Sequence, residues 1–245
     1  MTDAFPYRRK EIIGDCTLFL GDCRDILPTL GKQGLLLTDP PYGIGLAGGF
    51  SGAVGFSGAG GFSKPIARRQ YDGDWDNSTP SEDDFKLMLL SASQHIIWGG
   101  NYFTDKLPQG SCWLVWDKKN TMPTFSDAEL AWTSIDKKSV KRIVYEQNGL
   151  MSREKERFHP TQKAVEVMRW SISQAKQPFD SVVDPYMGSG TTGVACTKLS
   201  GLKFVGVERD EAFFDIACER IRKAYAQPDL FLAPSAEKPK QESMI

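Results

Sequence analysis

The stretch Thr38-Asp39-Pro40-Pro41-Tyr42-Gly43 sets a carboxylate, two prolines and an aromatic ring side by side. Proline has no backbone N–H and drives the residue before it into an extended conformation, so the turn is stiff and offers mainly acceptors: the Asp39 carboxylate and the Pro40 carbonyl. Such a turn suits a donor-only guest. The exocyclic amine of a nucleobase is one, and it is a poor nucleophile because its lone pair is delocalised into the ring. Two acceptors gripping its hydrogens counter that, and Asp39 is the candidate to receive the departing proton. Tyr42 supplies a ring face for stacking a base, worth roughly 1–3 kcal/mol in nucleic-acid sites.

A second stretch, Asp184-Pro185-Tyr186-Met187-Gly188-Ser189-Gly190-Thr191-Thr192-Gly193, has a different chemistry. Gly188, Gly190 and Gly193 carry the spacing of a dinucleotide fingerprint, in which backbone approaches a ligand closely at the start of a helix. About twenty residues past Gly188, the length of such a unit, Glu208 is placed to accept hydrogen bonds from ribose hydroxyls. No Gly-Lys-Ser/Thr occurs, which excludes a Walker-type phosphate loop.

The elements that must position these residues read as alternating strands and helices. Gly34-Leu35-Leu36-Leu37 and Ser181-Val182-Val183-Asp184 are short apolar runs expected to form strands buried on both faces of a parallel sheet. Both motifs then emerge at strand carboxyl ends, where open α/β sheets bind ligands. Thr191 to Cys196 opens a helix, Lys203 to Val207 forms the strand before Glu208, and Phe213, Phe214, Ile216, Ala217 and Ile221 mark a closing helix. Ser81-Glu82-Asp83-Asp84 caps a helix predicted to run to about Gln94, with strands at His95 to Trp98 and Cys112 to Trp116, whose tryptophans are expected in the core. Gly99-Gly100-Asn101 and Asp117-Lys118 follow those strands and are candidates to border the cleft.

The two motifs together resemble motif IV and motif I of the S-adenosylmethionine-dependent DNA amino-methyltransferases, in the circularly permuted order of their beta class. His159-Pro160-Thr161-Gln162-Lys163 and Leu20-Gly21-Asp22-Cys23 resemble two further elements of that class, and the similarity runs from about residue 16 to residue 222. The resemblance implies an α/β fold with a doubly wound, mostly parallel, Rossmann-like sheet, circularly permuted, and a small recognition insertion. It implies S-adenosyl-L-methionine as cofactor, held by Asp22, Cys23, Asp39, His159, Thr161, Gln162, Lys163, Asp184, Pro185, Tyr186, Gly188, Ser189, Gly190, Thr191, Thr192, Glu208 and Arg209, with Asp22 on the cofactor's adenine. Asp39, Pro40, Pro41 and Tyr42 become the catalytic turn, acting on a flipped base. Adenine N6 is the expected target, because family members acting on cytosine N4 more often carry serine at the position of Asp39. The chain departs from the pattern where Ala164, not proline, follows Lys163; alanine is a good helix former, so only the helix start should change.

Bulk properties fit one α/β domain over residues 1–226 and a flexible tail over 227–245. The chain has 245 residues, 40% of them apolar, and a formal net charge of −1, so attraction to double-stranded DNA must come from local patches. Two patches are candidates: Lys64, Arg68 and Arg69, and Lys137, Lys138, Lys141 and Arg142, continued by Arg153, Lys155 and Arg157. The second lies in a segment, 134–158, that the resemblance makes the target-recognition region, although Glu146, Glu154 and Glu156 dilute its charge and a solvated surface explains it equally. Residues 43–73 are glycine-rich with Phe50, Phe56 and Phe62 among the glycines, a composition expected of a mobile loop beside the catalytic turn or of a surface linker. Five cysteines form no close pair and show no zinc-ligand spacing with His95 or His159, so reduced core thiols are expected and no metal. None follows a proline, which weighs against ring-carbon methylation of cytosine. With no signal peptide and no apolar run of membrane length, a cytoplasmic enzyme of a bacterium or phage is expected. A second copy of the chain and a cognate restriction endonuclease remain candidate partners. Two rivals stay open: a nicotinamide-dependent dehydrogenase, which leaves Asp39 to Tyr42 without a role, and an inactive cofactor-binding DNA module.

Overall fold

The computed structural model describes residues 5–44, 78–119, 126–137, 139–146 and 162–226. Most of the glycine-rich loop, the later part of the recognition segment with His159 and Thr161, the side chains of Lys64, Arg68, Arg69 and Lys138, and the tail lie outside the described residues.

Among the described residues nine strands form one sheet in the order β1-β2-β9-β8-β3-β4-β6-β5-β7. They are β1 (Arg9–Ile13), β2 (Cys16–Leu20), β3 (Gln33–Thr38), β4 (Ala92–Trp98), β5 (Trp113–Asp117), β6 (Ala128–Thr133), β7 (Lys141–Val144), β8 (Ser181–Asp184) and β9 (Lys203–Glu208). From β2 through β9, β8 and β3 to β4 every pairing is parallel, and β5 and β7 are also parallel to each other. Antiparallel pairings join β1 to β2, β4 to β6 and β6 to β5. The sheet is thus mostly parallel, as expected from its apolar strand sequences.

Among the described residues five α-helices, α1 (Cys23–Ile26), α2 (Glu82–Ser91), α3 (Val165–Gln174), α4 (Thr191–Thr197) and α5 (Glu211–Ala226), cover both faces. Alternation along the central strands divides the core. Leu35, Leu37, Ile96, Trp98 and Val182 pack with α3, α4 and α5 through Val167, Met168, Ala195, Phe214 and Ile221. Their neighbours Leu36, Ile97 and Val183 face the opposite layer, with Phe85 and Met88 of α2. Trp98 and Trp116 are buried, while Trp113 is half-buried. All five cysteines are free, and four of them are buried.

Helix α2 starts where its capping box predicts: the Ser81 Oγ accepts from the Asp84 N–H at 3.2 Å, and the Asp84 carboxylate accepts from the Ser81 N–H at 2.8 Å. It ends at Ser91 rather than near Gln94. Ala92 is buried and already pairs with Gln33 in the parallel ladder, so sheet pairing takes the residues that helical pattern alone assigned to the helix. At the other cap in question, Ala164 adopts an extended conformation and α3 begins at Val165, so the absence of proline there leaves the helix start in place.

The chain leaves β8 through α4 towards β9 and leaves β3 through α2 towards β4, in opposite directions along the sheet. Adjacent strands whose connections diverge leave a crevice at their carboxyl ends. At that point the Gly190 backbone takes φ +80°, and a Cβ there would lie 2.8 Å from the Ala217 Cβ of α5. Position 190 therefore excludes side chains twice, by conformation and by packing. Gly190→Ala is expected to lower unfolding stability by about 1–3 kcal/mol. Urea denaturation checks this, and an unchanged midpoint would show that α5 yields without cost.

Candidate active site

Because β2, β9, β8, β3 and β4 run parallel, their carboxyl ends share one edge of the sheet. Gly21 to Cys23, Glu208 and Arg209, Asp184 to Gly188, Asp39 to Tyr42, and Gly99 to Tyr102 therefore line up along it. Asp39 and Glu208 belong to strands two positions apart, about 10 Å at ordinary strand spacing. Residues 169 positions apart in the sequence thus open on one side of the molecule.

Asp184 holds the two motifs together. It is 2% exposed, and its carboxylate accepts from Thr38 Oγ1 at 2.7 Å, from Thr192 Oγ1 at 2.6 Å and from the Tyr186 N–H at 3.1 Å. Burial pushes its carboxyl up to about 6, against the pull of those three donors. Expected to line the cofactor pocket, this side chain is spent on protein groups: it joins the end of β3 to the start of α4.

The glycine turn divides its labour. Gly190 serves packing, as does Gly193, whose Cα faces Ile221 and Phe204, whereas a Cβ at Gly188 would meet no atom within 4 Å. The Gly188 N–H donates to the Glu208 carboxylate at 2.9 Å, and the Asp210 N–H donates to it at 2.8 Å. Burial pushes the Glu208 carboxyl up to about 7 in spite of these bonds. Ser189, Thr191 and Thr192 are buried. Arg220 of α5 donates to the Ser189 carbonyl at 2.6 Å and to the Thr191 hydroxyl at 3.1 Å, bringing a cation under the turn. Gln162 meets the same turn, its side-chain carbonyl accepting from Ser189 Oγ at 3.3 Å. Further along the edge, Asp22 caps α1 and pairs with Arg24, Cys23 is hydrogen-bonded to the Tyr186 hydroxyl, and Arg209 is exposed. Pro185 is buried beneath them.

At the turn after β3, the candidate catalytic turn, Asp39 is partly exposed and Pro40 is buried. The Tyr42 hydroxyl donates to Asp39 Oδ1 at 2.5 Å, and its ring stacks on Tyr102 with centroids 4.8 Å apart. Gly99 makes room for that ring: at φ +71°, a Cβ on it would stand 2.1 Å from the Tyr42 ring. Lys163, 4% exposed, enters from below and donates to Asp39 Oδ2 at 2.8 Å, to the Tyr42 hydroxyl at 3.1 Å and to Glu129 Oε2 at 2.7 Å. Burial pushes the Asp39 carboxyl above the ordinary range, and the Lys163 ammonium opposes it. Glu129 behaves otherwise: although burial disfavours its charge, the ammoniums of Lys163 and Lys118 hold its carboxyl down to about 2.

The structure thus brings together Asp22, Cys23, Asp39 to Tyr42, Gln162, Lys163, Asp184 to Thr192, Glu208 and Arg209 at one edge. Lys163, expected among the cofactor contacts, stands with the catalytic turn. The basic cluster is scattered. The Lys137 ammonium caps α3 through the Gln174 carbonyl at 2.8 Å, and Lys141 and Arg142 begin β7, four strand positions from β3, with Arg142 paired to Asp117 at 3.6 Å. Glu129, Arg220 and Tyr102 escaped sequence reasoning, whereas Lys118 was a candidate to border the cleft and pairs with Glu129. Glu129 starts β6, which runs against its neighbours and so delivers the beginning of a strand to the edge where the others deliver their ends.

The doubly wound sheet carries a glycine turn, an acid and an acceptor-rich turn at its switch point, on a fold shared with DNA methyltransferases of known structure. A family model described as DNA methylase, the N6/N4 group, matches residues 113–219. The chain is 26% identical over 279 aligned positions to the type II methyltransferase M.HinfI of Haemophilus influenzae, covering 90% of this chain and 72% of that protein. It is 30% identical over 115 positions to the type II methyltransferase M2.LlaDCHI of Lactococcus lactis subsp. cremoris, covering 45% and 41%. Among solved structures, M1.HpyAVI with S-adenosylmethionine superposes with TM-score 0.55 at 21% identity, over 84% of this chain and 98% of that one. The cytosine-N4-specific PvuII DNA methyltransferase superposes with TM-score 0.54 at 15% identity, over 90% and 95%. The chain is thus similar to N6/N4 DNA methyltransferases, whose solved structures include complexes with S-adenosylmethionine. The open face at Gly188 beside the Glu208 carboxylate fits such a nucleoside cofactor.

Glu208 makes stability depend on pH. Its carboxyl stays protonated in the fold up to about 7, whereas an ordinary glutamate ionises near 4.5, so between those values the unfolded chain holds fewer protons and stability falls as pH rises. The contribution is complete below about 4.5 and gone above about 7. Glu208→Gln, which imitates the neutral acid, should flatten part of that decline in ligand-free protein. Melting temperatures across the interval test it, and parallel curves would refute it; Asp184 leaves a residual slope in both proteins.

Proposed function

We infer that the chain methylates the exocyclic amine of a base flipped out of double-stranded DNA, and that the base is adenine. The observation that carries this reading is the placement of Asp39 and Tyr42 beside the Gly188 turn, on adjacent parallel strands at the switch point of the sheet. Bound there, the cofactor supplies a methyl group on a positively charged sulfur. Asp39 and the Pro40 carbonyl accept the two amine hydrogens and turn the nitrogen lone pair towards that methyl, within roughly 3–3.5 Å. Transfer of that methyl to nitrogen would break its bond to sulfur, and Asp39 would take the proton that nitrogen releases. Asp39 favours adenine over cytosine by family tendency.

Tyr42 provides the stacking face. Its present partner, the half-exposed ring of Tyr102, is held as one base is held on another, and an extruded base would find the same kind of surface. Glu208 accepts from the ribose hydroxyls, Asp22 borders the cofactor's adenine, and Lys141 and Arg142 are the described candidates for phosphate contact.

Incubation with labelled cofactor and DNA, followed by nucleoside analysis, should yield N6-methyladenine. N4-methylcytosine instead would move the chain to the cytosine-N4 branch, and no labelled nucleoside would end the reading. Asp39→Ala should keep cofactor affinity within about threefold and lose transfer by at least about a hundredfold. Full turnover in that variant would remove Asp39 from the chemistry. For Tyr42→Ala the loss should be larger with a paired target than with a mismatched one, because a mismatch lowers the cost of extrusion; equal losses would argue against stacking.

A further inference from the structure

Lys163 and Glu129 are more expensive to bury than their neighbours require. An apolar side chain of similar volume would fill the space behind Asp39 at less cost, since a buried ion pair seldom repays the loss of hydration. Lys163 is nevertheless 4% exposed, directed at three oxygens, and the face of the Trp98 ring lies 5.3 Å from its ammonium. It leaves neither Asp39 nor Glu129 to solvent alone.

Charge balance shows what the arrangement accomplishes. Methyl transfer moves a positive charge from sulfur to nitrogen, so the pocket should be net negative. Lys163 alone would cancel Asp39. With Glu129 beside it, two carboxylates face one ammonium and a negative charge remains. Lys118 pairs with the other oxygen of Glu129 and, at 21% side-chain exposure against 23% for Glu129, is no better screened, so it offsets part of the Glu129 charge at one carboxylate's remove from Asp39. Among the described residues, the remaining charged or titratable neighbours of Asp39 are Tyr42, on its own turn, and Asp184, at the end of β8.

We propose that Lys163 and Glu129 are positioning residues for the transfer: Lys163 fixes the Asp39 carboxylate from behind, and Glu129 keeps the pocket negative while the charge moves. The proposal rests on the amine-methylating function above and assigns to Lys163 a role other than cofactor contact. It also explains why an acid at the start of an antiparallel strand is brought to an edge otherwise built from strand ends.

The two residues bias Asp39 in opposite directions, and that separates the proposal from a merely structural role. Removing the Lys163 charge makes Asp39 harder to ionise, so the acidic limb of kcat/KM should move up by about one pH unit in Lys163→Met. Removing the Glu129 charge leaves Lys163 on Asp39 without its counterweight. In Glu129→Gln the limb should move down, and kcat should fall on the order of tenfold because the pocket loses its negative charge. Glu129→Asp and Lys163→Arg should restore most of each loss, and the cofactor dissociation constant, by calorimetry, should stay within about threefold throughout. Limbs that stay in place or move the same way overturn the proposal, as does a cofactor affinity that falls with Lys163→Met. Should Lys163→Met fail to fold by circular dichroism, Glu129→Gln and its aspartate rescue decide alone. A wild-type chain that methylates no DNA overturns the functional reading and this one with it, whereas an active wild type with unmoved limbs overturns this one only.

Discussion

One buried carboxylate ties together the two segments that carry the candidate site. Asp184 accepts from the hydroxyl that precedes Asp39 and from the hydroxyl in the first turn of α4, and it has almost no contact with water. In a region where an unpaired ion costs several kcal/mol, these bonds cannot be exchanged for solvent. The end of β3 and the start of α4 are therefore set relative to each other by a short, fully satisfied network rather than by loop length. Every other feature of the edge is built outward from that clasp.

The layers on either side follow from strand alternation. Leu36, Ile97 and Val183 face α2, while Leu35, Leu37 and Val182 face α3, α4 and α5, so both sides of the central strands lie in apolar surroundings. With both faces taken, only the strand ends can meet a ligand. That is why the candidate cofactor residues at β2, β8 and β9 and the candidate catalytic residues at β3 share an edge a few strands wide. The same constraint accounts for the aromatic pair at the rim: Tyr42 can lean on Tyr102 because Gly99 offers no Cβ in the way.

Electrostatics divides the edge into two halves of different character. Near Gly188 the Glu208 carboxyl accepts from a backbone N–H and the Arg220 guanidinium lies under the turn, an environment for hydroxyl groups. Near Asp39 acidic groups outnumber the one buried ammonium, an environment for donors and positive charge. A cofactor carrying both ribose hydroxyls and a sulfonium can satisfy the two ends at once, and a nicotinamide dinucleotide would find no use for the second. The two halves are separated by the width of adjacent strands, which matches a ligand laid across the edge.

Much of this was legible in the linear chain. The apolar runs before Asp39 and before Pro185, the glycine spacing and the acid after Val207 are local patterns, and each reports a local requirement: burial on two faces, a turn, a helix start, a strand end. The capping box of α2 was equally plain, though not the residue where sheet pairing ends the helix. The partners that cross the sheet were not. Glu129 reaches Asp39 through Lys163 because β6 runs antiparallel beside β4, and Arg220 lies under the glycine turn because α5 packs on α4. Neither has a spacing that marks it, since strand order and helix docking place side chains by contacts between distant segments. Sequence determined which pieces carry the chemistry; only tertiary packing decided which charges face one another, because Coulomb interactions depend on separation in space and on burial, and neither is written in the order of residues.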